Sequence, residues 1–409
     1  MPSHRMLTPA SEPISVHLGQ SPADLPVEVV ERKGIGHPDT LADALAERMS
    51  VAYARYTRSR FGAVLHHNLD KLYLRGGHAR TGLGTFVMTE PFVLVIGGRV
   101  SSSFADEEVD SRGIFEEVAR DYFATVLPRF DSREWLRIEH VTTDRSRFPT
   151  WFHPRGLNDL PELHKPTASD TVAVTAWWPN TATENLVLQV ERHLNQEATG
   201  PRHPHLGQDI KVMASRKGRY VTLTANVPVF PDAAPTPDAY DDVLEKLHTE
   251  LMQVASETLG DELEVELRVN TQTDNPFSPK RHYLLGTGTC LELGEEGFVG
   301  RGNGASGLIP IHRPKSVEAT FGKNPTYHSG KVYTLYAEEI ARRIHREHGA
   351  AATVTIVAAN GDPLRNPACV SVTLHGHASK GAVEAIIDDT LVAVDHLALA
   401  IDDGRLIPR

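Results

Sequence analysis

Strand-like runs in this chain come in small groups, and each group is followed by one long amphipathic helix. That grouping restricts the fold more than any other feature. Apolar residues recur at helical spacing in 40–56 (Leu41, Leu45, Met49), 113–127 (Ile114, Phe115, Val118, Tyr122, Val126), 181–195 (Leu186, Val187, Val190, Leu194), 239–259 (Val243, Leu244, Leu247, Leu251, Val254) and 332–348 (Val332, Leu335, Ala337, Ile340, Ile344). Each spacing lays an apolar stripe along one helix face. Between them VTLTANV (221–227) alternates, and FVLVIGG (92–98), HYLLGTGTCLEL (282–293), ATVTIVAAN (352–360) and CVSVTLHGH (369–377) are β-branched or alternating. The expected class is α+β, with helices covering one sheet face, rather than a strict βαβ winding. A length of 409 residues exceeds one small core. The expected division is an arm at 1–24, then domains at 25–135, 136–280 and 281–409, with strands free to cross. The segments 228–240 and 159–170, rich in proline and polar residues, read as connections.

The net charge of −11 argues against a general nucleic-acid binder, which needs a basic face to displace counterions from phosphates, although basic residues converging on one pocket can still bind a polyanion locally. No apolar run approaches the roughly 18–20 residues that cross a bilayer. The opening MPSHRMLTPASEPISVHLGQ has no charged region followed by an apolar core, so neither membrane nor secretory leader is expected. Cys290 and Cys369 belong to no CxxC pair and read as two buried thiols in a reducing cytoplasm.

Four segments carry chemistry. In ERKGIGHPDTLADALAERM (31–49), Gly34 and Gly36 allow a tight backbone and Pro38 suits the first helical position, which puts His37 at the mouth of a helix N-terminus. Asp39 and Asp43 share a face one turn apart. Such a terminus attracts phosphate, and an aspartate there can hold magnesium; equally, Asp39 could serve only the helix dipole and His37 only a cap. From Gly294 to Lys331 lie eight of the chain's 31 glycines, interleaved with Arg301, Arg313, Lys315, Lys323, His328 and Lys331. Close-approaching backbone with long cationic side chains suits a polyphosphate, although no Walker loop is present. In LGQDIKVM (206–213), Asp209 and Lys211 share the strand face opposite Ile210 and Val212, as a site pair or a surface ion pair. In HHNLDK (66–71) the adjacent histidines point to opposite faces, which argues against a double-histidine metal ligand.

Taken together and in order, KGIGHPD, LHHNLDK, the glycine pair at 76–77, GQDIKVM, GRGN, GLI, RP, GKNP and GK resemble the archaeal-type S-adenosylmethionine synthetases from about residue 25 onward. The resemblance implies three similar α+β domains of ββαββαβ kind around a pseudo-threefold axis. Their flat sheets would pair in a homodimer whose active sites are shared between subunits. It implies ATP and L-methionine as substrates, two magnesium ions and a monovalent cation such as potassium. The product would be S-adenosylmethionine, with the triphosphate cleaved to pyrophosphate and phosphate. By this likeness His37 donates to the oxygen leaving C5′ and Asp39 binds magnesium. Lys211, Arg301 and Lys323 hold the phosphate chain, with Asp209 and His328 also at the nucleotide. Tyr283 stacks on adenine, and Asp170 and Glu295 face the amino acid, supported by Asp70.

The departures gather at the amino-acid pocket. The family's Gly-Gln-Gly-Ser has HVTTDRSRF (140–148) in its place, and VAVTAWWP (172–179) stands where Gly-Val-Gly-Tyr-Ala-Pro is usual. Three other readings therefore stand beside methionine adenosyltransferase. They are an adenosyltransferase for a methionine analogue or another nucleophile, a tripolyphosphatase, and a non-catalytic nucleotide-binding subunit.

Overall fold

The computed structural model describes residues 13–195, 203–260, 262–271, 282–316, 318 and 320–408. Helices α1 (Pro38–Phe61), α2 (Ser111–Val126), α3 (Ala182–Leu194), α4 (Pro237–Leu259) and α5 (Ser329–His348) form on the five amphipathic stretches, and α6 spans Lys380–Ala393. Local chemistry sets their ends. Pro38 and Pro237 begin α1 and α4, where a missing N–H costs nothing. Thr181 and Glu184 form a capping box at α3, each side chain accepting the other's backbone N–H. Gly62 and Gly349 close α1 and α5 in left-handed backbone.

Successive helix pairs each cover one sheet. α1 and α2 pack on Phe92–Val100, which pairs with Leu136–Thr143 in parallel and with Tyr73–Arg75 antiparallel, Gly297–Phe298 forming the edge. α3 and α4 cover a second sheet, ordered Glu264–Val269, Tyr220–Asn226, Lys211–Lys217, Val27–Lys33 and Ile309–Pro310. α5 and α6 cover the third, ordered Ile14–Leu18, Cys369–His375, Ala351–Val357 and Ala173–Trp178. The α+β class with helices on one sheet face is thus realised three times. Alternation decides the faces: Val212, Ala214, Val221 and Leu223 are buried under α3 and α4, while Met213, Tyr220 and Ile311 are exposed. On the first sheet Val141 and Phe298 are exposed.

Strands cross between the expected segments: Val27–Lys33 joins Lys211–Lys217, and Ala173–Trp178 joins Ala351–Val357. Residues 1–12 of the expected arm lie outside the described residues, but Ile14–Leu18 is an edge strand parallel to Cys369–His375. The run 282–293 is not a strand. Its glycines and threonines instead wrap the buried Glu292 carboxylate, which accepts from Gly286 N, Thr287 N and Thr287 Oγ1, and Cys290–Leu293 is a 3-10 turn. The two thiols are unpaired and half-buried rather than buried. No described helix is long and apolar enough to cross a membrane.

The adjacent His66 and His67 have different surroundings. His67 lies between Ser50 Oγ at 2.8 Å and Leu65 O at 2.9 Å, whereas His66 meets Tyr327 Oη at 2.9 Å and stacks on Trp151. His66 Nε2 is 3.4 Å from Glu162 Oε1, yet between about pH 4 and 7 neither group is charged. Burial lowers the imidazole to about 4 and raises the carboxyl to about 7. Below pH 4.5 Glu162 is protonated in both folded and unfolded chains and costs nothing. As pH rises towards 7 only the unfolded chain ionises, and stability falls. Glu162→Gln is therefore expected to gain up to about 3 kcal/mol at pH 8 and nothing at pH 4, read by urea unfolding at the two pH values.

Candidate active site

The site begins at the turn before α1. Gly34 N donates to Ile210 O at 2.6 Å and Gly36 N to Gln208 O at 3.0 Å, locking this turn onto the segment that carries Asp209 and Lys211. A Cβ on Gly36 would lie 2.5 Å from the Gln208 carbonyl carbon, so only glycine permits the contact. His37 is then the N-cap of α1, its Nδ1 accepting from Asp39 N at 3.2 Å. Because Nδ1 is the acceptor, the ring proton resides on Nε2 and is left to donate. Burial, helped by the charges of Lys33 and Lys211, lowers His37 to about 4, so the imidazole is neutral at physiological pH. The capping role and a donor role are compatible, since they use different nitrogens.

α1 carries an acidic stripe at Asp39, Asp43 and Glu47, each one turn from the next, and each carboxylate captures backbone of the glycine-rich segment. Phe298 N donates to Asp39 Oδ1 at 3.1 Å, Gly300 N to Asp43 Oδ1 at 2.7 Å and Gly322 N to Glu47 Oε2 at 3.0 Å. Asp43 is raised to about 7 by burial, with neighbouring Asp39 adding to it. Glu47 also holds Lys331 Nζ at 2.7 Å, both side chains buried. The stripe threads the loop along the helix and so fixes where its cations stand. Gly297 is needed for this: its Cβ would lie 2.1 Å from Pro38 O. Gly297→Ala is expected to cost about 1–3 kcal/mol in a thermal or denaturant melt, by forcing the segment off Asp39.

The expected site residues fall into two clusters. In the first, Asp39 Oδ2 binds Lys33 Nζ at 2.9 Å and stands 4.0 Å from His37 Nδ1, and Lys33 Nζ also donates to Arg301 O at 2.7 Å. Lys211 Nζ pairs with Glu31 at 3.1 Å rather than with Asp209. Asp209 is buried, accepts from Cys290 N at 2.8 Å, and is raised to about 7 chiefly by desolvation. Tyr283 Oη reaches Asp209 O at 3.4 Å, and burial with the charges of Asp209 and Glu295 raises its phenol well above the usual range. In the second cluster Lys323 pairs with Glu318 and stands 3.9 Å from Asp70. His328 is lowered to about 3 by burial and by Lys323, and Asp170 acts on Lys323 electrostatically while its backbone carbonyl accepts from Ser329 Oγ at 2.9 Å. Among the described residues no hydrogen bond or ion pair joins the two clusters directly. α1 connects them, with Asp39 and Glu47 two turns apart, about 12 Å along the axis.

Lys33, Glu47 and Glu318 were absent from the sequence expectation. Glu47 was readable as the third member of the i, i+4, i+8 series. Lys33 directly precedes the glycine turn, but its contact with Asp39 depends on that turn folding back. The tryptophans of VAVTAWWP lie at the far end of their strand. Arg313 stacks over Trp177 at 4.8 Å and Arg342 over Trp178 at 3.8 Å, and both rings wall a cavity of about 730 Å³ behind the glycine-rich segment.

The chemistry suits a divalent cation at Asp39. Its carboxylate offers hard oxygen, and the Lys33 ammonium already occupies the cationic position on Oδ2. A helix N-terminus, a neutral histidine, an acid engaged by an ammonium and scattered lysines and arginines are the features that binding of a polyanion would use on this α+β frame.

Residues 14–405 match the S-adenosylmethionine synthetase (AdoMet synthetase) family. The S-adenosylmethionine synthase of Caldivirga maquilingensis is 36% identical over 397 residues, covering 94% of this chain and 96% of that one. That of Aeropyrum pernix is 36% identical over 386 residues, covering 90% and 92%. An unusual S-adenosylmethionine synthetase structure from Campylobacter jejuni shares the fold, with a TM-score of 0.57 over 93% of each chain at 13% identity. The chain belongs to the S-adenosylmethionine synthetase family.

Proposed function

We propose that this chain is an ATP:L-methionine S-adenosyltransferase. The observation that carries the reading is the neutral, N-capping His37 set beside Asp39, Lys33 and Lys211 at the mouth of α1. The methionine sulfur attacks the ribose C5′, the C5′–oxygen bond breaks, and the electron pair leaves with the triphosphate. A thioether has no proton to lose, so the site needs no base at sulfur. Its work is positioning and stabilising charge on the departing oxygen. His37 Nε2–H donates to that oxygen. Lys211, Arg301 and Lys323 hold the phosphate chain, with Asp209 and His328 lining the nucleotide. Tyr283 supplies an aromatic face for adenine, and Asp70, Asp170 and Glu295 address the amino acid. Magnesium held by Asp39 would screen the phosphate charge; a second magnesium and a potassium ion belong to the same proposal. Water then cleaves the triphosphate to pyrophosphate and phosphate.

The division of cations between two clusters supports a homodimer in which the first cluster of one subunit completes the second cluster of its partner. The exposed Met213, Tyr220 and Ile311 on the helix-free face of the second sheet, and Val141 and Phe298 on the first, supply apolar surface for that pairing. The three helix-backed sheets are then the three repeats around a pseudo-threefold axis.

The test is incubation of the purified protein with ATP, magnesium and methionine. S-adenosylmethionine detected by mass spectrometry is the expected result, and its absence overturns the assignment. A second reading, an acceptor other than methionine, is favoured by the tryptophan pair at 177–178. It predicts acceptor-dependent ATP consumption with a different thioether or nucleophile.

A further inference from the structure

We propose a transition-metal site, outside both active-site clusters, formed by His193, His203 and Glu250 and suited to one dication of the Zn2+ or Co2+ kind. His193 stands in the last turn of α3, Glu250 lies midway along α4, and His203 begins the segment running to Asp209 and Lys211. Their ligand atoms all lie within 4.8 Å of one another. His193 Nε2 is 2.5 Å and His203 Nε2 3.4 Å from the same oxygen, Glu250 Oε1. Two imidazoles therefore converge on one carboxylate, and the two rings stand 5.9 Å apart between centroids. Tetrahedral coordination at about 2.0–2.1 Å places ligand atoms about 3.3 Å apart. The 3.4 Å His203 distance matches this, and the 2.5 Å His193 contact would have to lengthen towards it as an ion entered. Imidazole nitrogen with one carboxylate oxygen is a donor set for zinc, cobalt, nickel or copper rather than magnesium, which prefers all-oxygen ligands.

The location gives the ion a structural task. Leu206 N donates to His203 O, Asn195 Nδ2 donates to Gln208 O at 3.2 Å, and Gln208 O also accepts from Gly36 N. An ion on the three side chains would clamp α3, α4 and the segment that delivers Asp209 and Lys211 to the first cluster.

The test uses the untagged full chain, stripped with chelator and titrated with Co2+ and then Zn2+ in excess Mg2+, which occupies the hard-oxygen sites. One equivalent of Co2+ with visible d–d absorption, displaced by Zn2+, and a melting temperature raised by Zn2+ are expected. His193→Ala, His203→Ala and Glu250→Gln should each weaken binding by more than the roughly 10–100-fold typical of losing an outer hydrogen-bond partner, and Zn2+ should no longer raise their melting temperatures. Metal-free melting of each variant, compared with the stripped parent, separates ligand loss from misfolding. Glu250→Gln keeps the side-chain shape and carries the test if an alanine variant does not fold. No saturable binding in the parent, or unchanged affinity in the variants, overturns the proposal.

Discussion

Lys323→Met is expected to slow S-adenosylmethionine formation by about 100-fold or more while leaving the melting temperature close to the parent's. Removing one preorganised charge donor costs roughly 3 kcal/mol or more of transition-state stabilisation, and each 1.36 kcal/mol is tenfold in rate. The side chain is almost fully buried, and desolvation lowers its pKa, so its charge is poorly screened and acts strongly on a nearby phosphate. Its present partners are carboxylates, Glu318 and Asp70, which occupy the anionic position a phosphate would take. Folding is spared because Glu318 is half-exposed and returns to water when the lysine is gone. Single-turnover kinetics with circular dichroism melting checks both halves. Parental turnover would show that Lys323 does not touch the leaving group.

Lys331→Met is expected to do the reverse, costing about 3–5 kcal/mol of stability. Lys331 and Glu47 bury an ion pair with both side chains at most 1% exposed, Glu47 accepting at 2.9 and 2.7 Å. Deleting the ammonium strands a carboxylate whose remaining partner is Gly322 N. Adding Glu47→Gln removes that charge, so the double variant should recover most of the loss. Urea unfolding of the single and double variants measures it, and equal destabilisation in both would mean that packing, not charge, dominates at this position.

Much of the fold was legible because periodicity and capping agree. The stripe Leu186, Val187, Val190 and Leu194 and the Thr181–Glu184 box both point to α3. α6, which the five stretches above do not include, is equally readable from the helical spacing of Val383, Ile386, Ile387 and Leu391. The run 282–293 misled because alternation with glycine and threonine looks extended, while a buried carboxylate at Glu292 turns it into a loop. Sheet membership was not legible, since Ile14–Leu18 and Cys369–His375 meet across almost the whole chain. At the site, His37, Asp39 and Asp43 followed from one helix start. That Lys211 would pair with Glu31, and Lys323 with Glu318, depended on tertiary placement that no local spacing encodes.

The central claim is that two clusters on one chain are halves of a single polyphosphate site, completed across a subunit interface. Mixing His37→Ala chains with Lys323→Met chains under conditions that exchange subunits tests it directly. Neither variant alone forms an intact site, but half of the randomly formed dimers are mixed and each mixed dimer holds one intact site, so about one quarter of parental S-adenosylmethionine formation should return. No recovery, with mixed dimers verified by mass, would contradict the shared site.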